Sequence, residues 1–125
     1  MTTPLVLVTD DDEDLRTLCQ VHLQIGGFRV AQAANGQEAL DVSRREMPDL
    51  ILLDLMMPVK DGWECLGELK SDVELQRIPV FIITGKNQQE DQRRAFAMGA
   101  EAFIPKPFAG PALIARIRER LALAS

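Results

Sequence analysis

Five short apolar runs alternate along this chain with longer segments whose apolar residues recur at helical spacing. Short apolar runs bounded by turn signals predict strands that are buried on both faces, and the 3.6-residue period predicts amphipathic helices. The predicted strands are Leu5–Thr9, Phe28–Ala33, Leu50–Asp54, Pro79–Thr84 and Ala102–Ile104. This alternation predicts an α/β fold in which helices cover both faces of a parallel sheet.

The helices between these strands have recognisable ends. Asn35 with Glu38, and Asn87 with Glu90, form capping boxes that predict the starts of the second and fourth helices. The first helix has Leu15, Leu18, Cys19, His22 and Ile25 at helical spacing and stops at Gly26-Gly27, the third begins after Asp61-Gly62, and the fifth begins near Pro111. Because crossovers are right-handed, few topologies remain. We expect a flavodoxin-like (βα)5 three-layer sandwich with strand order 2-1-3-4-5.

Composition restricts the class of protein. With 125 residues, 46% of them hydrophobic, the chain fits one domain with a substantial core. The net charge of −5 does not indicate binding to nucleic acid. No apolar stretch approaches the roughly 18 residues that span a membrane, and no signal peptide is visible. Cys19 and Cys65 lack a metal-binding spacing, which favours free thiols in a reducing compartment. We expect a single cytoplasmic domain covering residues 1–125.

Polar side chains follow four of the predicted strands. Asp10 and Asp11 come after the first strand, Asp54 ends the third, Thr84 ends the fourth and Lys106 follows the fifth. Open parallel sheets bind their ligands at the carboxyl ends of the strands, so we expect these side chains to meet at one edge. Three clustered carboxylates repel one another, and a hard divalent cation such as Mg²⁺ relieves that repulsion.

This set of groups suits phosphoryl chemistry. A carboxylate can attack phosphorus and form an aspartyl phosphate. The transfer needs positioning and charge neutralisation, which Mg²⁺, the Lys106 ammonium and the Thr84 hydroxyl would supply. Gly85 leaves room for the phosphoryl group to approach. Taken singly, each residue is typical of a turn, a helix cap or a solvated surface; their joint occurrence past separate buried strands favours a site.

Other acidic sites fail on spacing. An EF-hand loop beginning at Asp10 would need Gly where Leu15 stands and Glu where Val21 stands. No glycine-rich phosphate loop follows the first strand, which argues against a nucleotide or flavin site. Phosphatases of the haloacid dehalogenase type carry a second Asp two residues after the nucleophile, and here that position is Met56.

These motifs resemble the receiver domain of two-component response regulators (CheY-like) over essentially the whole chain. The matching segments are Leu7–Asp12, Asp49–Pro58 with Asp61-Gly62, Ile82–Gly85, and Gly99-Ala100 through Phe103–Phe108. The resemblance implies that Asp54 is the phosphoryl acceptor. It also implies that Asp10 and Asp11 hold Mg²⁺, Asp11 directly and Asp10 largely through water. Asp54 and the Met56 backbone carbonyl would be further ligands of the ion.

The resemblance further implies a switch. Lys106 would pair with a phosphoryl oxygen, and its bond to Pro107 is expected to be cis. Thr84 would hydrogen-bond the phosphoryl group and form the switch pair with Phe103, which stands where Tyr is frequent. Thr9 departs from the family pattern, because an apolar residue is usual there, so its hydroxyl needs a buried partner.

The function implied by the resemblance is that of a response regulator. A histidine kinase or histidine phosphotransfer protein would phosphorylate Asp54 in a Mg²⁺-dependent reaction, and the chain would catalyse only its own phosphorylation and dephosphorylation. A downstream protein, not nucleic acid or a membrane, would bind the face of the fourth helix, fifth strand and fifth helix, with the chain a monomer or a weak phosphorylation-dependent dimer. The alternatives are a receiver-like module recognised without phosphorylation, a receiver fragment of a longer regulator or hybrid kinase, and a free-standing phosphatase.

Overall fold

The computed structural model describes residues 3–85 and 89–122, in which five strands alternate with five helices. The strands are Leu5–Thr9 (β1), Arg29–Ala33 (β2), Leu50–Leu53 (β3), Val80–Thr84 (β4) and Ala102–Pro105 (β5). The helices are Glu13–Ile25 (α1), Gly36–Glu46 (α2), Gly62–Ser71 (α3), Gln89–Ala97 (α4) and Gly110–Arg120 (α5). None of the helices in the described ranges combines the length and the apolar character needed to cross a membrane.

The strands form one parallel sheet in the order β2-β1-β3-β4-β5, which confirms the predicted flavodoxin-like topology. Every residue of the central strands β1, β3 and β4 is buried, whereas the edge strand β2 is partly exposed. Helices cover both faces of the sheet, so apolar side chains are required on both sides of the central strands. This is the physical reason for the continuous apolar runs in the sequence.

Strand alternation divides the buried side chains between two cores. Leu7, Leu53 and Ile82 pack with α2, α3 and α4 on one face of the sheet. Val8 and Ile83 pack with α1 and α5 on the other. Leu53 is fully buried, and replacing such a leucine with alanine costs about 2–5 kcal/mol. The two cores hold the sheet rigid, and so fix the positions of the residues at its edge.

Some predicted boundaries were wrong by one residue. Strand β2 begins at Arg29, whose amide donates to the Pro4 carbonyl at 2.9 Å, while the Phe28 amide closes the end of α1 on the Leu23 carbonyl. Strand β4 begins at Val80 because Pro79 has no amide hydrogen to donate to the ladder. Strand β3 ends at Leu53, one residue before Asp54, and β5 extends one residue further, to Pro105.

The helix caps agree with the sequence where the structure describes them. The Asn35 side chain accepts the Glu38 amide at 2.9 Å, and the Glu38 side chain accepts the Ala34 amide at 3.2 Å. Asn87, the cap expected for α4, lies outside the described residues. In α1 the buried line runs through Cys19 and Leu23, whereas Leu18 is half exposed. The apolar face that the sequence predicts for α1 is therefore wider than the face that the helix buries.

Candidate functional site

Backbone hydrogen bonds extend the sheet one residue past its strands and so position the polar edge. The Asp10 amide donates to Ala33 at 3.1 Å, the Asp54 amide to Thr9 at 3.0 Å, and the Lys106 amide to Thr84 at 2.9 Å. Each of these three residues is thus held by a neighbouring strand, although it lies just beyond its own strand. The predicted gathering of strand-end groups at one edge is what the structure has.

Three carboxylates meet there. One oxygen from each of Asp10, Asp11 and Asp54 lies within 4.8 Å of the others. Asp10 and Asp54 are buried, whereas Asp11 is exposed. Oxygen donors of this kind, partly open to water, match the preference of Mg²⁺ for a few carboxylates with several retained waters. The donor set therefore fits Mg²⁺, the ion predicted from the sequence.

Lys106 bridges the two buried carboxylates. Its Nζ donates to Asp10 Oδ2 at 2.7 Å and to Asp54 Oδ2 at 3.1 Å. Burial lowers the pKa of Lys106, but the hydrogen bond to Asp10 and the charges of Asp54 and Asp10 more than offset this and raise it above its ordinary value. Lys106 therefore stays an ammonium at neutral pH. The Lys106–Pro107 peptide bond is cis, as expected.

The carboxyl group of Asp54 has a raised pKa. Burial is the largest cause and the negative charge of Asp10 adds to it, while Lys106 and the amide of Met56 act in the opposite direction. The Met56 amide donates to Asp54 Oδ1 at 3.2 Å. In the protein alone, the ionised form of Asp54 is thus less favourable than in water. A positive charge at this edge would favour ionisation.

The turn after Asp54 is held by two glycines. The Gly62 amide donates to the Leu55 carbonyl at 3.0 Å, and the Gly36 amide donates to the Lys60 carbonyl at 2.9 Å. Both glycines are so close to the opposite backbone that a Cβ atom would clash with it. Asp61 caps α3 by accepting the Glu64 amide at 2.9 Å. The Asp61-Gly62 pair therefore starts α3 and fixes the turn beside the acidic cluster.

The predicted switch pair lies on one face of the sheet. Strand alternation places Thr84 on the same face as Ile82, which pairs with Phe103. Thr84 is fully buried, and the Phe103 ring packs into the core on the α2–α4 side. A Cβ atom added at Gly85 would meet no described atom within 4 Å. That these residues act as a switch remains a prediction.

Two other residues show what the sequence could and could not reveal. The Thr9 hydroxyl is buried and has no hydrogen-bond partner among the described residues, so the expected partner is missing. Arg16 was not predicted to take part in the site, yet its Nη1 donates to the Asp10 backbone carbonyl at 2.7 Å. Its place one helical turn after the Asp12 cap was the only signal in the sequence.

Comparison with known proteins identifies the family. The family model described as response regulator receiver domain matches residues 6–118. The chain belongs to this family. It is therefore a receiver domain of two-component systems. Mg²⁺ binding and phosphorylation of an aspartate are typical of this family.

The relatives of this receiver are regulators and receiver domains. It is 38% identical over 116 residues to the probable transcriptional regulator ycf27 of Porphyridium aerugineum, covering 93% of this chain and 47% of that protein. It is 33% identical to the phosphate regulon transcriptional regulatory protein PhoB of Rhizobium meliloti, covering 94% and 52%. The chain thus spans about half the length of these relatives. A CheY-like receiver domain protein from Methanospirillum hungatei superposes with a TM-score of 0.90 at 26% identity, covering 97% of this chain and 95% of that one.

Proposed function

We propose that this receiver accepts a phosphoryl group on Asp54 from a histidine kinase or a histidine phosphotransfer protein, in a reaction that requires Mg²⁺. The observation that carries the proposal is the Lys106 ammonium, which donates to both Asp10 and Asp54 within a cluster of three carboxylates. A cation-binding acidic pair, a nucleophilic carboxylate and a fixed ammonium are the groups that such a transfer needs.

The proposed step exchanges one bond to phosphorus for another. An Asp54 carboxylate oxygen attacks the phosphorus of phosphohistidine, an O–P bond forms as the N–P bond breaks, and the departing imidazole keeps the electron pair and takes a proton from water. Lys106 neutralises charge on the phosphoryl oxygens as the new bond forms. The Thr84 hydroxyl, buried at the end of β4, would then hydrogen-bond a phosphoryl oxygen.

Asp10, Asp11 and Asp54, with the Met56 backbone carbonyl, are the residues proposed to hold Mg²⁺. When bound, the ion supplies positive charge that favours the ionised nucleophile and offsets the charge of the incoming phosphoryl group. The chain's own contribution is to hold the carboxylates in place: Lys106 and the Asp12 amide bind Asp10, and the Met56 amide binds Asp54.

A groove beside Lys106 is where we expect the donor protein to dock. It encloses about 320 Å³, and its lining includes Leu15, Leu18, Pro107 and Phe108. The side chain of Leu18 is 50% exposed. Apolar surface next to a charged site is typical of protein-binding patches, so we expect the donor protein to cover it.

We expect this transfer to take place in the reducing cytoplasm, where the buried thiols of Cys19 and Cys65 would remain free.

We propose that a downstream protein binds the face formed by α4, β5 and α5. Phe96 on α4 is 48% exposed, and Arg93 and Arg116 lie exposed on α4 and α5. Phosphorylation would shift a two-state equilibrium of this face by stabilising one arrangement over the other. Exposed apolar and cationic groups favour a protein partner with acidic and apolar side chains, and a weak phosphorylation-dependent dimer would use the same face.

The test is the intact mass of the protein after incubation with acetyl phosphate, with and without Mg²⁺. Wild type should gain one phosphoryl group only with Mg²⁺, and Asp54→Asn should gain none. Asp41→Asn is the matched control, because it removes an exposed carboxylate on α2 and should label as wild type does. Full labelling of Asp54→Asn would overturn the assignment of the acceptor. A wild type that binds neither Mg²⁺ nor beryllofluoride would favour a receiver-like module recognised without phosphorylation.

A further inference from the structure

Arg16 ties the acidic pair to the neighbouring helix and strand. Its Nη1 donates to the Asp10 backbone carbonyl at 2.7 Å, and its Nε donates to the Gln32 side chain on β2 at 3.1 Å. The Gln32 amide in turn donates to the Gln20 side chain, one helical turn further along α1. The guanidinium is thus fixed at two points, and its contact is with the backbone of the site.

The bound carbonyl belongs to the peptide that joins Asp10 to Asp11. A peptide unit is planar, so holding its oxygen holds the plane and the direction in which Asp11 leaves it. The carboxylate of Asp10 has separate anchors in Lys106 and the Asp12 amide. Asp11 is exposed, and within residues 3–85 and 89–122 its side chain has no hydrogen bond. Its position therefore depends on its backbone.

We propose that Arg16 is a positioning residue for the metal site: it fixes the Asp10–Asp11 peptide so that both carboxylates face one cation. This inference rests on the proposed function, since it concerns the same Mg²⁺ site. Arg16 does not contact the reacting atoms. Groups that orient metal ligands through a second contact typically change metal affinity by about 10–100-fold when they are removed.

The positioning role of Arg16 and its positive charge predict opposite changes in Mg²⁺ affinity. A guanidinium close to a cation site repels the cation, so charge alone predicts tighter Mg²⁺ binding when Arg16 is neutralised. Positioning predicts weaker binding on neutralisation, and also in Arg16→Lys, which keeps the charge but cannot donate from one planar group to both partners. The sign of the change in affinity therefore distinguishes the two roles.

The experiment measures Mg²⁺ affinity by isothermal titration calorimetry on the whole chain at fixed ionic strength. Arg16→Gln and Arg16→Lys should each bind about tenfold more weakly, and Gln32→Leu should show a smaller loss of the same sign. Arg29→Gln is the control: Arg29 also donates to a backbone carbonyl, that of Thr3, but at the opposite end of the sheet, so its affinity should match wild type.

Two further readouts separate positioning from general destabilisation. In the metal-free protein, hydrogen exchange at the Asp12 amide should be faster in both Arg16 variants. That amide donates to the Asp10 carboxylate, and Arg16 holds the Asp10 backbone in place. With acetyl phosphate, half-maximal labelling should need more Mg²⁺, while labelling at saturating Mg²⁺ stays near wild type. If wild type binds Mg²⁺ and Arg16→Gln binds it as tightly or more tightly, the positioning role of Arg16 is overturned, but the proposed Mg²⁺ site is not. If wild type binds no Mg²⁺, the proposed site is overturned with it.

Discussion

Gly62 lies directly against the backbone of Asp54. A Cβ atom at Gly62 would come within 2.2 Å of the Asp54 carbonyl oxygen and 2.5 Å of the Leu55 Cα. Both obstacles are backbone atoms of a turn that the sheet holds in place. The start of α3 and the proposed phosphoryl acceptor can therefore approach each other only when residue 62 has no side chain.

Gly62→Ala should both destabilise the protein and disturb the site. Backbone cannot rotate away as a side chain can, so we expect a loss of about 2–3 kcal/mol in the free energy of unfolding. Displacement of the Asp54 turn should also slow labelling by acetyl phosphate in the fraction that remains folded. Urea unfolding and intact mass measure the two effects.

The same helix provides the control. In Gly67→Ala the new Cβ would lie 3.7 Å from Met98 Cε, an ordinary contact. Alanine in a helix interior is favoured over glycine by about 1 kcal/mol, so this variant should be slightly more stable than wild type and label normally. Equal stability of the two variants would contradict the close-approach argument.

The raised pKa of Asp54 predicts how stability depends on pH without metal. A carboxyl group whose pKa is higher in the folded state stabilises that state below its unfolded pKa, and this contribution is lost as the pH rises through the folded value. At pH 7 the ionised Asp54 therefore costs stability. Asp54→Asn should be more stable than wild type there by about 1 kcal/mol, a common scale for point mutations.

Urea unfolding in EDTA at several pH values tests this. The advantage of Asp54→Asn should shrink as the pH falls toward the ordinary Asp value of about 3.9. Lys106 stays charged throughout, because its pKa is raised from an already alkaline value. Adding Mg²⁺ at pH 7 should stabilise wild type more than the variant by mass action. An advantage that does not change with pH would contradict the electrostatic origin.

Much of this site followed from one rule about parallel sheets. The continuous apolar runs before Asp10 and Asp54 identify central strands, and their carboxyl ends share an edge. Lys106 could be placed there only because a fifth strand was also predicted, and that strand is short. The cis bond before Pro107 came from the family resemblance.

Other features depend on neighbours that no local pattern reveals. Leu18 and Ile25 share the apolar spacing of α1 but are 50% and 81% exposed, since α5 covers only part of that helix. The strand boundary at Arg29 depends on which carbonyl binds Phe28. The role of Arg16 is of the same kind, because its partner Gln32 is 16 residues away on another strand. Pattern predicts which elements form, and tertiary contacts decide which side chains work together.

The buried hydroxyl of Thr9 predicts a stabilising substitution. It lies in β1 beside the site, is 2% exposed and has no hydrogen-bond partner among the described residues. Valine has nearly the same shape and no hydroxyl to desolvate, so Thr9→Val should raise the free energy of unfolding by about 1–2 kcal/mol. Thr17→Val, at an exposed position in α1, should give no gain. A loss of stability in Thr9→Val would mean that the hydroxyl is bonded to water.

Val59 adopts a backbone conformation that valine disfavours. Its φ is 67°, in the left-handed region, and its side chain is 85% exposed, so no packing compensates for the strain. Left-handed backbone costs a residue with a Cβ about 1–2 kcal/mol, and the cost is greatest for β-branched residues. Asparagine tolerates this region, so Val59→Asn should raise the free energy of unfolding by about 1 kcal/mol. Val73→Asn is the control, because Val73 is 80% exposed and is not among the described residues with positive φ. An equal gain in both variants would show that loss of exposed apolar surface, and not relief of backbone strain at Val59, explains the effect.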